Sequence, residues 1–227
     1  DERKVIEDLV EVLRDLLRVI KEVLDRNVKL IKDLLRLNLK VAEELIRVLK
    51  ELLDRLRRDK DLRELEERIK RVLEEHEDVI RRAAEKVEKV ADDSRKVIED
   101  ISRKVEALSR RNLEMDTLAE LAKEILKLIE DLLRDHKRKT DRLLEELREL
   151  TKRTARKLEK ILEDIVRKTG ETEELDRIRK ELKRLLDELT KLHEDVRKKS
   201  EELVREAERT LEDVKRKLDE LLERAKK

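Results

Sequence analysis

Phenylalanine, tryptophan, tyrosine, proline and cysteine are all missing from this 227-residue chain, which holds one glycine and one methionine. At ordinary usage about 11 prolines and 16 glycines would be present. The absence of cysteine excludes a disulfide framework, thiol chemistry and thiolate metal sites. The absence of aromatics leaves nothing to stack on nucleic-acid bases, and a net charge of +1 gives no general attraction for a phosphate backbone. No apolar run approaches the ~18 residues that read as a transmembrane helix, and the N-terminal DERKVIEDL lacks the pattern of a signal peptide. These absences predict a soluble chain with no cofactor and no small-molecule substrate, and with neither nucleic acid nor membrane as a partner.

What is present is charge and helical period. Charged residues make up 54% of the chain, 62 basic against 61 acidic. Such a composition without order in its apolar residues would read as disorder, but here the apolar residues recur at helical spacing, which points to long helices. Opposite charges stand four apart, as in Glu22/Arg26, Glu43/Arg47 and Glu173/Arg177, the arrangement of a solvated helix face.

Three places interrupt the pattern. RRDKDLRE offers Asp61 as a helix N-cap, with Glu64 three residues on as in a capping box. RRNLEMDTLAEL offers Asn112 as a stop and Asp116 as the next N-cap. KTGETEEL carries Gly170, suited to a left-handed C′ position, and Thr172 as the following N-cap. Helices are therefore expected over about 2–58, 61–111, 117–167 and 172–226, each roughly 75–85 Å long at 1.5 Å per residue. Short turns between such helices force antiparallel neighbours. The fold class is all-α: a single elongated up-down-up-down four-helix bundle over 1–227, alone or within a larger multi-chain bundle.

The apolar residues repeat every 18 positions, five turns at 3.6 per turn, which predicts nearly straight helices. Leu17, Leu35 and Leu53 form one row; Leu13, Ile31 and Leu49 a second; Leu16, Leu34 and Leu52 a third. Leu62/Ile80/Ile98, Val72/Val90/Leu108, Ile125/Leu143/Ile161 and Leu185/Leu203/Leu221 continue the repeat through the other helices. These rows, the Glu/Lys/Arg surface, the minimal turns and a few Asn, His, Ser and Thr on core rows together resemble computationally designed, parametrically generated helical bundles with buried hydrogen-bond networks. The resemblance covers the whole chain and is one of style rather than homology. It implies a scaffold, assembly component or binding module without enzymatic activity.

The same period places the polar exceptions. Asn27 falls between Leu9 and Leu45, Asn38 between Ile20 and Leu56, and His193 between Leu175 and Leu211. His76, Ser94 and Asn112 share a row, His136 and Thr154 share one with Leu118, and Ser200 lies between Leu182 and Leu218. Counted along antiparallel helices, Asn27, Ser94, His136 and Ser200 fall within about 7 Å of one height. Asn38, His76, Thr151, Thr190 and His193 fall within about 9 Å of another. Ser102, Ser109 and Thr210 belong to neither. A leucine core is indifferent to axial slips, whereas a buried Asn or His is satisfied in one register only. On this reading Asn38→Leu would preserve or raise the melting temperature while relaxing register.

Other chemistries fit the histidines less well. The residues three before them are Leu73, Leu133 and Thr190, so the Glu-x-x-His pattern of di-metal bundles is absent. HExxH is absent as well, because Ile80 stands where the second His belongs. Ser94 and His136 could pair as nucleophile and base, but no orienting acid or oxyanion loop accompanies them. A pH-responsive core, charged on acidification, is the more plausible alternative.

Helix 1 also carries Val5, Val12, Val19, Leu30, Leu37 and Val48 beside its core rows. About 10 of every 18 positions are apolar, some 200° of circumference, against the stripe of roughly 100° or somewhat more that one core needs. Two readings follow. Helix 1 sits centrally, under the small Ala83, Ala84 and Ala91 of helix 2; or Val5, Val12, Val19, Leu30 and Leu37 bury against another chain. Association as a homo-oligomer, with a two-fold dimer the default, or with a designed helical hetero-partner is then expected.

Overall fold

The computed structural model describes residues 2–56, 62–110 and 112–226. Four helices run α1 (Glu2–Leu56), α2 (Arg63–Arg110), α3 (Met115–Thr169) and α4 (Glu173–Lys226), with no strand among the described residues. The all-α four-helix bundle expected from the period is what forms. None of the helices is long and apolar enough to cross a membrane among the described residues.

The helix ends show which local signals governed the chain. Gly170 has φ 81°, the left-handed conformation that stops α3, and its N–H donates to Val166 O at 2.8 Å. Thr172 caps α4 as expected: Leu175 N–H donates to its Oγ1 at 3.2 Å, and Asp176 N–H to its carbonyl at 3.1 Å. Asp116 does not cap α3. It lies inside the first turn of a helix that begins at Met115, where its charge still complements the helix dipole. Asn112, the expected stop, lies beyond the end of α2 at Arg110 and is exposed, so it leaves the core row it was expected to share with His76 and Ser94. Asp61, the expected cap of α2, lies outside the described residues.

Contacts divide the chain into two compact units, each built from a segment of every helix. Unit 1 comprises Asp1–Leu30, Glu88–Asp141 and Lys198–Lys227; unit 2 comprises Ile31–Val87 and Arg142–Arg197.

In unit 1 the core is formed by Leu9, Leu13, Leu16 and Ile20 of α1, Ile101, Val105 and Leu108 of α2, Leu118, Ala122, Ile125 and Ile129 of α3, and Ala207, Leu211 and Leu218 of α4. At its surface Arg14 grips Glu106 through two bonds of 2.6 Å, and Lys215 reaches Glu130 at 3.1 Å.

In unit 2 the core is Leu45, Leu49, Leu52 and Leu53 with Leu62, Leu65 and Ile69, Leu158, Ile161 and Ile165, and Leu175, Leu182 and Leu185. Antiparallel pairing of α2 and α3 shows in a ladder of ion pairs: Arg68–Asp164, Glu75–Lys157 and Lys86–Glu146. Each step up α2 is matched by an equal step down α3, seven residues and then eleven, the two spacings that make up the repeat of the core rows.

Magnitudes decide what holds these units. Burying one leucine is worth about 2 kcal/mol and emptying its site costs about 2–5. An exposed ion pair is worth about 0–1 kcal/mol. The first two rows of α1 and the row through Leu16, Leu34 and Leu52 are buried throughout, so the apolar repeat carries the stability and the charged ladder trims it.

Gly170 sits where an added Cβ would meet nothing within 4 Å, so only its backbone conformation resists substitution. Gly170→Ala is expected to lower stability by about 1 kcal/mol, and Gly170→Asn by less, since asparagine tolerates the left-handed region. Denaturant midpoints of the two variants check this; equal stability of glycine and alanine would show that the turn relaxes.

Candidate functional site

The structural features that exceed simple packing are the buried polar groups. They form one cluster in each unit.

In unit 2, Asn38 of α1 is fully buried and reaches three other helices at once. Its Nδ2 donates to His193 Nε2 of α4 at 2.8 Å and to Thr151 Oγ1 of α3 at 3.1 Å. Its Oδ1 accepts from His76 Nε2 of α2 at 2.6 Å. Beyond His76, Nδ1 meets Thr154 Oγ1 of α3 at 2.8 Å. Thr151 passes its own proton back to Leu147 O, one turn earlier, at 3.0 Å. This bond pattern fixes the imidazole tautomers. An amide nitrogen only donates, so His193 Nε2 must accept and its proton lies on Nδ1. An amide oxygen only accepts, so His76 carries its proton on Nε2 and takes the Thr154 hydroxyl proton at Nδ1. One asparagine holds two histidines in opposite tautomers.

In unit 1, Asn27 of α1 is equally buried but less well served. Its Nδ2 donates to His136 Nε2 of α3 at 2.9 Å, and His136 Nδ1 stands 3.5 Å from Ser94 Oγ of α2. Asn27 Oδ1 has no hydrogen-bond partner among the described residues. Turning the amide over would only exchange an orphan acceptor for an orphan donor. Leaving a buried polar atom unpaired costs about 1–3 kcal/mol.

The structure buries most of the sequence-derived groups. Asn27, Ser94, His136 and Ser200 are buried in unit 1, and Asn38, His76, Thr151 and His193 in unit 2. Ser200 makes no hydrogen bond to Asn27 or His136 among the described residues. Thr190 is misplaced: it is exposed, and its hydroxyl bonds to Leu186 O at 2.9 Å within its own helix. Three residues before His193 it has the right height but stands about 60° around the helix from it. Thr154, one turn along α3 from Thr151, bonds to His76 instead. Thr140 was missed altogether: it is buried and bonds to His136 O at 3.0 Å. Its signal was the i, i+4 spacing from His136, which puts both on one face.

Among the described residues no three His, Cys, Asp or Glu converge as a metal-binding group. Nor does His136 stand ready to activate Ser94. With Asn27 Nδ2 occupying Nε2, the imidazole proton points at the Ser94 hydroxyl, the reverse of what a general base requires.

The residues of the expected seam on α1 differ in exposure. Val12 and Val19 pack on the edge of the unit 1 core, and Val5 and Leu30 are half-buried. Leu37 alone of the five is exposed; with Val97, also at 37%, it is one of two exposed large hydrophobic side chains among the described residues.

Burial pushes all three histidines down to about 4. For His76 the neighbouring His193 adds repulsion; for His136 the charge of Asp135 opposes the fall and that of Lys139 adds to it. A base whose folded value lies below its unfolded 6.5 gives stability that is complete above 6.5 and declines as pH drops toward 4. Between pH 7 and 5, before carboxylates titrate, each histidine should cost about 1–2 kcal/mol of stability. Denaturant titration at the two pH values tests this, and equal stability would mean that the imidazoles are hydrated. Compared with known proteins, the chain matches no family model, no curated protein and no solved structure.

Proposed function

We propose that this chain is a structural protein of the designed-bundle kind, whose buried polar clusters specify helix register and pairing and which performs no catalysis. The observation that supports this most is Asn38, whose amide is shared among His76, Thr151 and His193 on the three other helices. A slip of one turn by any helix, about 5.4 Å, would break at least one of these bonds and strand its partner in the core. Apolar rows repeating every 18 residues tolerate such slips far better. A second reading, association with another copy or a helical partner along α1, draws support from the exposed Leu37. Mass in solution by light scattering tests it: a mass of one chain at all concentrations would reject it.

The bond pattern changes what Asn38→Leu alone should do. Removing the amide strands His76 Nε2–H and His193 Nε2, so stability should fall by about 2–5 kcal/mol rather than hold. Replacing the cluster together, with leucine at Asn38, His76 and His193 and valine at Thr151 and Thr154, should restore or raise the melting temperature. It should also broaden the pattern of chemical cross-links between helices, measured at neutral pH. A stable cluster-free variant that keeps a single cross-link pattern would show that the apolar rows alone set the register.

A further inference from the structure

The two polar clusters differ in how many protons they can accept. In unit 2 two histidines converge on one amide; in unit 1 one histidine has an amide to itself.

A first proton from solvent is accommodated in unit 2 by His76. Its Nε2–H bond to Asn38 Oδ1 stays as it is, and the new Nδ1–H finds Thr154 Oγ1, whose hydroxyl rotates from donor to acceptor. A second proton, on His193, sets an N–H against the Asn38 Nδ2 group at 2.8 Å, two donors face to face. Turning the Asn38 amide gives His193 an acceptor only by pressing Nδ2 against the His76 N–H. Thr151 Oγ1, 3.3 Å from His193 Nε2, leaves that opposition in place. Each orientation of the amide serves one imidazolium and opposes the other.

Among the described residues no charged partner eases the conflict. The groups packed on the pair are uncharged: Asn38 from α1, Thr151 and Thr154 from α3. Of charged groups only His193 acts on His76, and it repels; on His193 burial alone acts. Unit 1 meets acid differently. When His136 is protonated, a half-turn of Asn27 brings the idle Oδ1 to face Nε2–H, while Nδ1–H is directed at Ser94 Oγ. Asp135, on the same helix, favours that charge; Lys139, bonded to Asp135 at 2.8 Å and to Asp93 of α2 at 3.4 Å, opposes it. From α4, Ser200 contributes a buried but uncharged group to the unit.

We infer that the Asn38–His76–His193 cluster is an acid-triggered release built into unit 2, tolerant of one proton and opened by the second, at a pH at which unit 1 stays closed. The register role, tested at neutral pH, is not required for it. Helix segments 31–87 and 142–197 would then expose their apolar core to solvent or to a partner while segments 1–30, 88–141 and 198–227 remain packed.

Peptide-resolved hydrogen exchange between pH 7 and 4, corrected for intrinsic rates, reads this directly. Protection in the unit 2 segments should fall by about tenfold, the equivalent of one pKa unit, at a pH where unit 1 is unchanged. Loss of protection in both units at one pH, or in unit 1 first, would overturn the inference. His193→Gln keeps an acceptor for Asn38 and takes no proton, so the unit 2 midpoint should move to lower pH; an unmoved midpoint also overturns it. If that variant does not fold, Asn38→Asp serves the same purpose. Its carboxylate offers an oxygen to each imidazolium, so unit 2 should hold to lower pH, and an unchanged or higher midpoint counts against the release.

Discussion

A primary amide has one face that only donates and one that only accepts, and no rearrangement of protons can make the two alike. In unit 2 that asymmetry organises everything around it. Asn38 sorts two chemically identical imidazoles into different tautomers, draws in a threonine on a third helix, and so ties four helices through one side chain. Serine or threonine at the same place could rotate its hydroxyl to suit several arrangements; the amide suits far fewer. The selectivity of the cluster comes from this lack of adaptability. The apolar rows around it supply the free energy, and the amide supplies the bonds that link the four helices.

Unit 1 shows the same device with one member fewer. Asn27 and His136 repeat the asparagine–histidine contact, yet the amide oxygen is left over. A buried orphan acceptor reduces stability, so the apolar contacts of Leu9, Leu13, Leu16 and Ile20 with their partners must outweigh it, which by magnitude they do easily. The comparison of the two clusters shows that similar residues on similar rows do not make equivalent networks. Completeness depends on whether the third and fourth helices present a donor and an acceptor at the right azimuth.

Azimuth is also where the sequence was hardest to read. Counting residues along antiparallel helices locates height well, because rise per residue is fixed, and it placed Asn27, Ser94 and His136 together, and Asn38, His76, Thr151 and His193 together. It is blind to direction around the helix unless the apolar row is consulted as well. Thr190 has the height but not the azimuth, while Thr154, two residues beyond the layer by count and on the row of His136, has the azimuth and meets His76. The turn around Gly170 and Thr172 was legible because a left-handed residue and an N-cap are local chemistry. The start of α3 was less so: Asp116 is a good capping residue by type, but the helix gained a further residue, Met115, before it. Of the excess apolar residues on α1, Val12 and Val19 lie at the edge of a core, Val48 lies within one, and Leu37 stays exposed. Hydrogen-bond direction, and with it the tautomers, could not be had from sequence at all, since it depends on which amide atom faces which ring.

The surface charges carry a consequence for the order in which the protein assembles. Many ion pairs lie within a single helix, three or four residues apart, as with Arg18–Asp15, Arg36–Asp33, Arg47–Glu51, Arg138–Asp135 and Arg184–Glu188. Pairs of this kind need no neighbour, so they support each helix in the unfolded chain as much as in the folded one. Helix formation takes roughly a microsecond, far faster than the packing of a domain. Local pairs of this kind favour helix before the rows meet, and leucine rows fit one another in several alignments. On the proposed reading, what separates one alignment from another is then the two asparagines, since an unmatched buried amide costs about 1–3 kcal/mol.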